Sequence, residues 1–220
     1  MQRHFDEDLK LIRNLILEMA SLVDSQVSKS LEALFTGNLD LAAKTAKSDQ
    51  EVNKYENLID ESCEKIIALH QPVANDLRLL ISALKINNDL ERMGDICTNI
   101  CERIPKLYNH LDLLRESDIS GMGDIIKKMI KESIDSYIYL DIPQAKNVIR
   151  SDDKVDKYDD EITNYYIGEM QQRSEIIVPA ASILTILKNM ERLADHATNI
   201  AEDVVFLKEG VIIKHRKDLL

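Results

Sequence analysis

The sequence of 220 residues has no Trp, three Phe, six Gly and four Pro. So little turn and aromatic chemistry leaves few loops and weak material for strands. Three Cys are too few, and an odd number, for a disulfide scaffold, which fits a reducing interior. No run approaches the eighteen uncharged apolar residues of a membrane span. The start, MQRHFDEDLK, has no basic segment followed by an apolar one, so no secretory signal is expected. Basic residues number 28 against 39 acidic, a net charge of −11, which argues against nucleic acid as a partner. What is present is 45% apolar residues, enough for a real core. Long helices remain.

Leu9, Ile12, Ile16, Met19, Val23 and Leu34 recur at helical spacing and predict a first helix over about 5–35, ended by Gly37. A second is expected over 39–70, and a third opens at Pro72 and reaches about Tyr108. Residues 117–123, with two glycines, read as a linker. A fourth helix then runs to about Leu140, a fifth starts at Asp141-Ile142-Pro143, and a sixth covers about 174–210 with Pro179 in its first turns. Helices of about 30 residues, about 45 Å long, need partners for their apolar stripes. The expected fold is all-α: two tandem antiparallel three-helix bundles over 1–112 and 113–210, then a tail, 211–220.

An internal repeat supports the division. NDLERMGDICTNICE (88–102) and KNMERLADHATNIAE (188–202) share seven of fifteen residues at an offset of 100. SDQEVNKYENLI (48–59) matches SDDKVDKYDDEI (151–162) at an offset of 103. Two matches in one order, at nearly one offset, indicate duplication of a unit of about 100 residues.

The repeat also retains acids. On the third helix Glu91, Asp95, Asn99 and Glu102 fall at about 0°, 40°, 80° and 20° around the axis. Glu191, Asp195, Asn199 and Glu202 repeat the stripe on the sixth. Asp49, Asn53, Glu56 and Asp60 form a similar row on the second helix, and Asp152, Asp156 and Asp159 on the fifth. Apolar residues of the third helix centre about 165° away, so a solvated face would cost nothing. Yet like charges at i and i+4 destabilise a helix, and a Lys would relieve them. Oxygen donors on two helices facing one groove suit hard cations, and several carboxylates can bridge more than one ion.

A ferritin-like di-iron enzyme is opposed, because no Glu-x-x-His occurs. His196 matches Ile96, which favours a packing role. Cys97 and Cys101 match Ala197 and Ala201, which favours close helix contact over a thiolate site. No nucleophile–base pattern or phosphate loop is present, so no catalytic residue is assigned. Two alternatives stand beside a metal-binding regulator: hydrolysis at surface carboxylate-bound metals, and a metal-free helical scaffold.

Gln71-Pro72 followed by Asp76-Leu77-Arg78, then Asp89-Leu90-Glu91-Arg92-Met93-Gly94-Asp95, resembles the PhoU family of phosphate-uptake regulators. Met190-Glu191-Arg192-Leu193-Ala194-Asp195 carries the likeness into the second copy. The resemblance implies multinuclear clusters, iron or zinc foremost with manganese or magnesium as alternatives, on Glu91 and Asp95 with Asp49 and Asn53, and on Glu191 and Asp195 with Asp152 and Asp156. Asn53 departs from the carboxylate pattern with one neutral oxygen, so the second site is expected to bind metal more tightly. Ile176-Ile177-Val178 replaces Asp-Leu-Arg in the second copy, which suggests diverged roles. The resemblance further implies a cytoplasmic protein, peripheral to the inner face of the plasma membrane through its partners. Those partners are the ATPase of a phosphate ABC transporter and a sensor histidine kinase, and homodimerisation is compatible with it.

Overall fold

The computed structural model describes residues 2–213; the rest of the expected tail, 214–220, lies outside the described residues. Six helices carry the fold: α1 (Gln2–Thr36), α2 (Leu39–His70), α3 (Asn75–Leu107), α4 (Ile119–Tyr139), α5 (Ile142–Gln172) and α6 (Ile177–Glu209). Three short 3-10 turns join them, and no strand occurs among the described residues. The all-α duplicated architecture expected from the repeat is the one observed.

Local chemistry sets the helix ends. Gly37, at φ 67°, reverses the chain after α1, and the Asn38 side chain accepts the Leu41 N–H at 3.0 Å to start α2. Asp118 and Asp141 cap α4 and α5 in the same way, accepting from Gly121 (3.1 Å) and Gln144 (3.0 Å). Two boundaries differ from expectation. Pro72 does not open α3, because Gln71 and Ala74 both take positive φ and hold 71–74 in a turn. The proposed linker 117–123 is mostly helix, since the Asp118 cap starts α4 at Ile119 and both glycines are helical. Gly123 lies against Phe35, where a Cβ would sit 3.4 Å from the ring. At 21 residues α4 is shorter than the expected length of about 30.

Within the first repeat α1, α2 and α3 pack on one another, and within the second α4, α5 and α6 do. The repeats join through α3 against α6 and α1 against α4, so these four helices form a central square. α2 and α5 flank it. Their burial follows: α2 buries one stripe, Ala42, Thr45, Val52, Ile59 and Cys63, and α5 buries the equivalents Ala145, Val148, Val155, Ile162 and Tyr166. α3 and α6 are contacted from several sides and bury many more residues, in matching positions 100 apart. Tyr166 is fully buried and donates to the Leu113 carbonyl at 2.6 Å, tying α5 to the segment between the repeats.

α3 and α6 run antiparallel, as three cross-contacts show. Arg78 at the start of α3 lies over the Phe206 ring near the end of α6; Lys85 reaches Asp203; Asp89 meets His196. Among the described residues no helix is long and apolar enough to cross a membrane.

Candidate metal centre

The acidic rows lie where a flanking helix meets an inner one. On α2, Asp49, Asn53, Glu56 and Asp60 run beside the buried Val52 and Ile59; on α3, Glu91 and Asp95 face them. The Asp49 carboxyl is raised above the usual carboxylate range by burial, with the Asp95 charge adding, against hydrogen bonding from Gln26 and Asn53. Glu91 is raised by burial and then by Asp95, with Arg92 opposing. Burial raises Glu56 as well, and Asp60, Asp95 and Asp49 push it the same way while Arg92 opposes. The charges that act on Asp49, Glu56 and Glu91 place these three with Asp60 and Asp95 in one electrostatic cluster across the α2/α3 groove. Arg92 is its counter-ion, 3.4 Å from Glu91 and 3.5 Å from Asp95.

Gly94 gives Asp49 its depth. A Cβ at position 94 would stand 2.6 Å from Asp49 Oδ1 and 3.1 Å from Gln26 Oε1. Asp49 Oδ1 is buried with no hydrogen-bond partner among the described residues. Asn53 donates to the other Asp49 oxygen at 3.4 Å.

The α5/α6 groove repeats the plan with more charge. Burial pushes Asp152 up to about 6, with Asp156 and Asp195 reinforcing it. Asp195 is raised by burial, then by Glu191 and Asp156, while His196 and Lys188 pull the other way. Asp159 is raised by burial; Lys188 lowers it, whereas Glu191 and Asp156 raise it. Lys188 takes the place of Arg92 as counter-ion, 2.6 Å from Glu191 Oε1 and 3.9 Å from Asp159. The second Glu191 oxygen, Oε2, is buried without a partner among the described residues.

The rows are therefore less free of cost than helical periodicity implied. Asp49, Glu91, Asp95, Asp152 and Glu191 are partly buried, and only Asn53, Asp156 and Asp195 of the eight core candidates are exposed. The four outer candidates do not join them. Asn99 and Glu102 are exposed farther along α3, whereas Asn199 donates to Asp89 on α3 at 3.1 Å, and Glu202 lines a cavity at the α3/α6 seam. Sequence reasoning missed Gln26 and Lys188 as modulators. Lys188 was legible, three residues before Glu191; Gln26 sits on α1, outside any repeat pattern. Among the described residues, no three His, Cys, Asp or Glu side chains are gathered in a geometry able to hold a metal ion. The donors face one another without converging. Cys63, Cys97 and Cys101 are buried free thiols; burial pushes Cys101 up to about 11 and Cys63 up to about 12, so all three serve packing.

The PhoU domain is matched twice, over residues 16–104 and 119–204, once for each half of the square. The chain belongs to the PhoU family. Among curated PhoU relatives, the Phosphate-specific transport system accessory protein PhoU homolog of Zymomonas mobilis is 36% identical over 98% of this chain and 92% of its own. The accessory protein PhoU of Escherichia coli K12 is 31% identical over 96% of this chain and 88% of its own. A crystal structure of PhoU from Pseudomonas aeruginosa superposes with a TM-score of 0.88 at 32% identity, covering 94% of this chain and all of that one. The phosphate transport system regulatory protein PhoU from Streptococcus pneumoniae gives 0.85 at 28% identity, covering 94% and 98%. The PhoU match spans both carboxylate grooves, and the interval it omits holds the two 3-10 turns that bridge the repeats.

Proposed function

We propose that this PhoU-family chain is a metal-binding regulatory accessory of phosphate transport that restrains uptake and the starvation response when phosphate is plentiful. Full-length relatives named as accessory proteins of phosphate-specific transport support the transport role. The observation that carries the metal reading is the pair of grooves in which burial, reinforced by neighbouring carboxylates, raises Asp49 and Asp152, while Asp49 and Glu191 each hold a buried oxygen without a donor among the described residues. Such sites are destabilised when empty of positive charge and relieved by a cation.

The donor set fits a hard or borderline cation. Asp49, Asn53, Glu91 and Asp95 would hold it in the first repeat, and Asp152, Asp156, Glu191 and Asp195 in the second. Iron or zinc is preferred, and manganese or magnesium would also accept oxygen ligands. Gathering the donors takes side-chain rotations of half-exposed groups, each costing a fraction of their rotamer entropy, about 1 kcal/mol. Bound cations would supply positive charge, turning two anionic grooves into surfaces that attract anionic groups. Without metal, the chain's own residues set the balance. Arg92 and Lys188 hold part of each row neutral, and the remaining carboxylates repel one another.

The partners are a phosphate ABC transporter's ATPase and a sensor histidine kinase, met at the cytoplasmic face. Long helix faces on a rigid six-helix body give area for both. The relatives' names describe accessory and regulatory proteins, in keeping with a role that is not enzymatic. The test is elemental analysis of purified protein together with co-purification of the transporter ATPase, with and without chelator. Metal in the wild type, its loss in Glu191→Gln with Asp195→Asn, and weaker ATPase capture in chelator are expected. Equal metal content in wild type and variant, or capture indifferent to chelator, would overturn the reading.

A further inference from the structure

The central square is not sealed at the end where α1 and α3 begin and α4 and α6 finish. Arg13 donates to the Ile138 carbonyl in the last turn of α4, so α4 stops level with Arg13 while the earlier part of α1, back to Gln2, extends past it. At that step lies an open cup of about 200 Å³. Leu9, Leu79 and Leu207 reach its wall from α1, α3 and α6, and Leu140, the residue that ends α4, completes it. All four leucines are only partly buried. One apolar side chain from each helix therefore faces an unfilled space.

The polar lining has one character. Tyr137 is 7% exposed, lines the cup, and its hydroxyl has no hydrogen-bond partner among the described residues. Burial pushes that phenol up to about 12, with the Arg13 charge opposing, so it stays a donor at neutral pH and Arg13 stands near it. Lys10 and Arg13 bring two cations to the lining, which contains no acid although the chain carries a net charge of −11. Neither makes an ion pair among the described residues, and the Ile138 carbonyl takes one of the five guanidinium N–H groups. Asp6 and Glu7, within a turn of Lys10, lie outside the lining.

The internal repeat bears on Tyr137. Ile119, Met122, Ile126, Ile130 and Ser133 of α4 are buried at an offset of 103 from Ile16, Met19, Val23, Val27 and Ser30 of α1. Tyr137 then stands where the first repeat has Leu34, itself fully buried. Leucine closes that layer in one copy, so packing does not call for a hydroxyl in the other, and a buried hydroxyl without an acceptor costs free energy. Lys10 and Arg13 precede the part of α1 that α4 repeats, so they have no counterpart in that helix.

We propose that this cup binds an aliphatic carboxylate, a medium-chain fatty acid. The four leucines take its chain, and Arg13, Lys10 and the Tyr137 hydroxyl take its head, the planar guanidinium matching the two carboxylate oxygens. At the close-packed density of organic matter, a cup of about 200 Å³ holds roughly ten non-hydrogen atoms, the size of octanoate. An inorganic anion would use the cations and none of the leucines. A neutral hydrocarbon would leave both cations and the phenol unmet. The proposal uses neither metal nor the carboxylate rows, so it is tested in the presence of chelator and stands or falls separately from the proposed function.

The experiment is an amide-NMR titration of the whole chain in EDTA with four probes: octanoate, octanol, octylamine and inorganic phosphate. Octanoate is expected to shift the amides of Leu9, Arg13, Leu79 and Leu140 and to bind at least about tenfold more tightly than octanol, with octylamine the weakest of the three chains. Lys10→Gln with Arg13→Gln should weaken octanoate about tenfold and leave octanol unchanged, which shows that the cup persists in that variant. Tyr137→Phe should weaken octanoate several-fold, again without effect on octanol. Leu79→Trp, which fills the cup with both cations in place, should block octanoate and octanol alike. Octanol or octylamine binding as tightly as octanoate, octanoate shifts confined to other parts of the chain, or binding retained in Leu79→Trp would overturn the proposal. Phosphate binding at the same amides as tightly as octanoate would make the cup a plain anion site, and would overturn it as well.

Discussion

Asp152→Asn is expected to stabilise the metal-free protein at neutral pH while weakening its response to metal. The Asp152 carboxyl rises from 3.8 to about 6, with burial the largest cause and Asp156 and Asp195 next. A shift of about two units corresponds to about 3 kcal/mol. Because the side chain is only about half buried, solvent screening reduces this to about 1–1.5 kcal/mol. A folded-state pKa above the unfolded value means that the folded chain holds the proton more tightly. Asp152 therefore favours folding fully below pH 3.8, and that contribution is lost as pH rises through about 6. An amide carries no charge at any of these values. In EDTA, the variant should match wild type near pH 3.5 and exceed it above pH 6.5, with Tm higher by about 3–5 °C at pH 7.5 for a chain of this size. Added zinc or manganese should reverse the order, because the wild type then gains more from the ion. Calorimetry at the two pH values, with and without metal, checks both halves. A variant less stable than wild type in EDTA at pH 7.5, or one whose advantage persists unchanged at pH 3.5, would refute the reasoning.

Three further substitutions probe the same architecture. Gly94→Ala places a Cβ 2.6 Å from Asp49 Oδ1, so it should expel that carboxylate and lower first-groove metal content with helicity retained, read by elemental analysis and circular dichroism. Lys188→Met removes the ammonium 2.6 Å from Glu191 and should tighten metal at the second groove several-fold, read by competition with a chromogenic chelator. Tyr166→Phe removes the buried hydroxyl donated to the Leu113 carbonyl, leaves that oxygen with the Glu116 N–H at 3.1 Å, and should cost about 1 kcal/mol in urea unfolding with an unchanged slope.

The helices and their pairing were legible because the flanking helices write a single apolar stripe, Val52 and Ile59 echoed by Val155 and Ile162. Boundaries set by unusual backbone were not. Ala74 at φ 52° carries no side-chain signal for a left-handed turn, and Pro72 at a helix start is an equally natural reading. Gly121 and Gly123 look like linker residues until the Asp118 cap and the Phe35 ring are seen beside them. The paired rows were visible as residue spacing. Their partial burial was not, because helical periodicity measures angle about one axis and says nothing of how closely a neighbouring helix approaches. The seam cavity lay outside sequence reasoning for the same reason: Asp89 and His196 stand 107 residues apart and meet only through the antiparallel α3/α6 contact.

The central square has a consequence for how the molecule meets the outside. α1 and α4 close one side, so the α2/α3 and α5/α6 furrows both open toward the other, flanking the α3/α6 seam. A visitor approaching that side encounters both charge clusters at once, as a two-pronged landing ground rather than two back-to-back patches. Two individually feeble attachments on a rigid base then reinforce each other through high effective concentration, and occupancy of both furrows by ions would invert the landing ground's polarity in a single move.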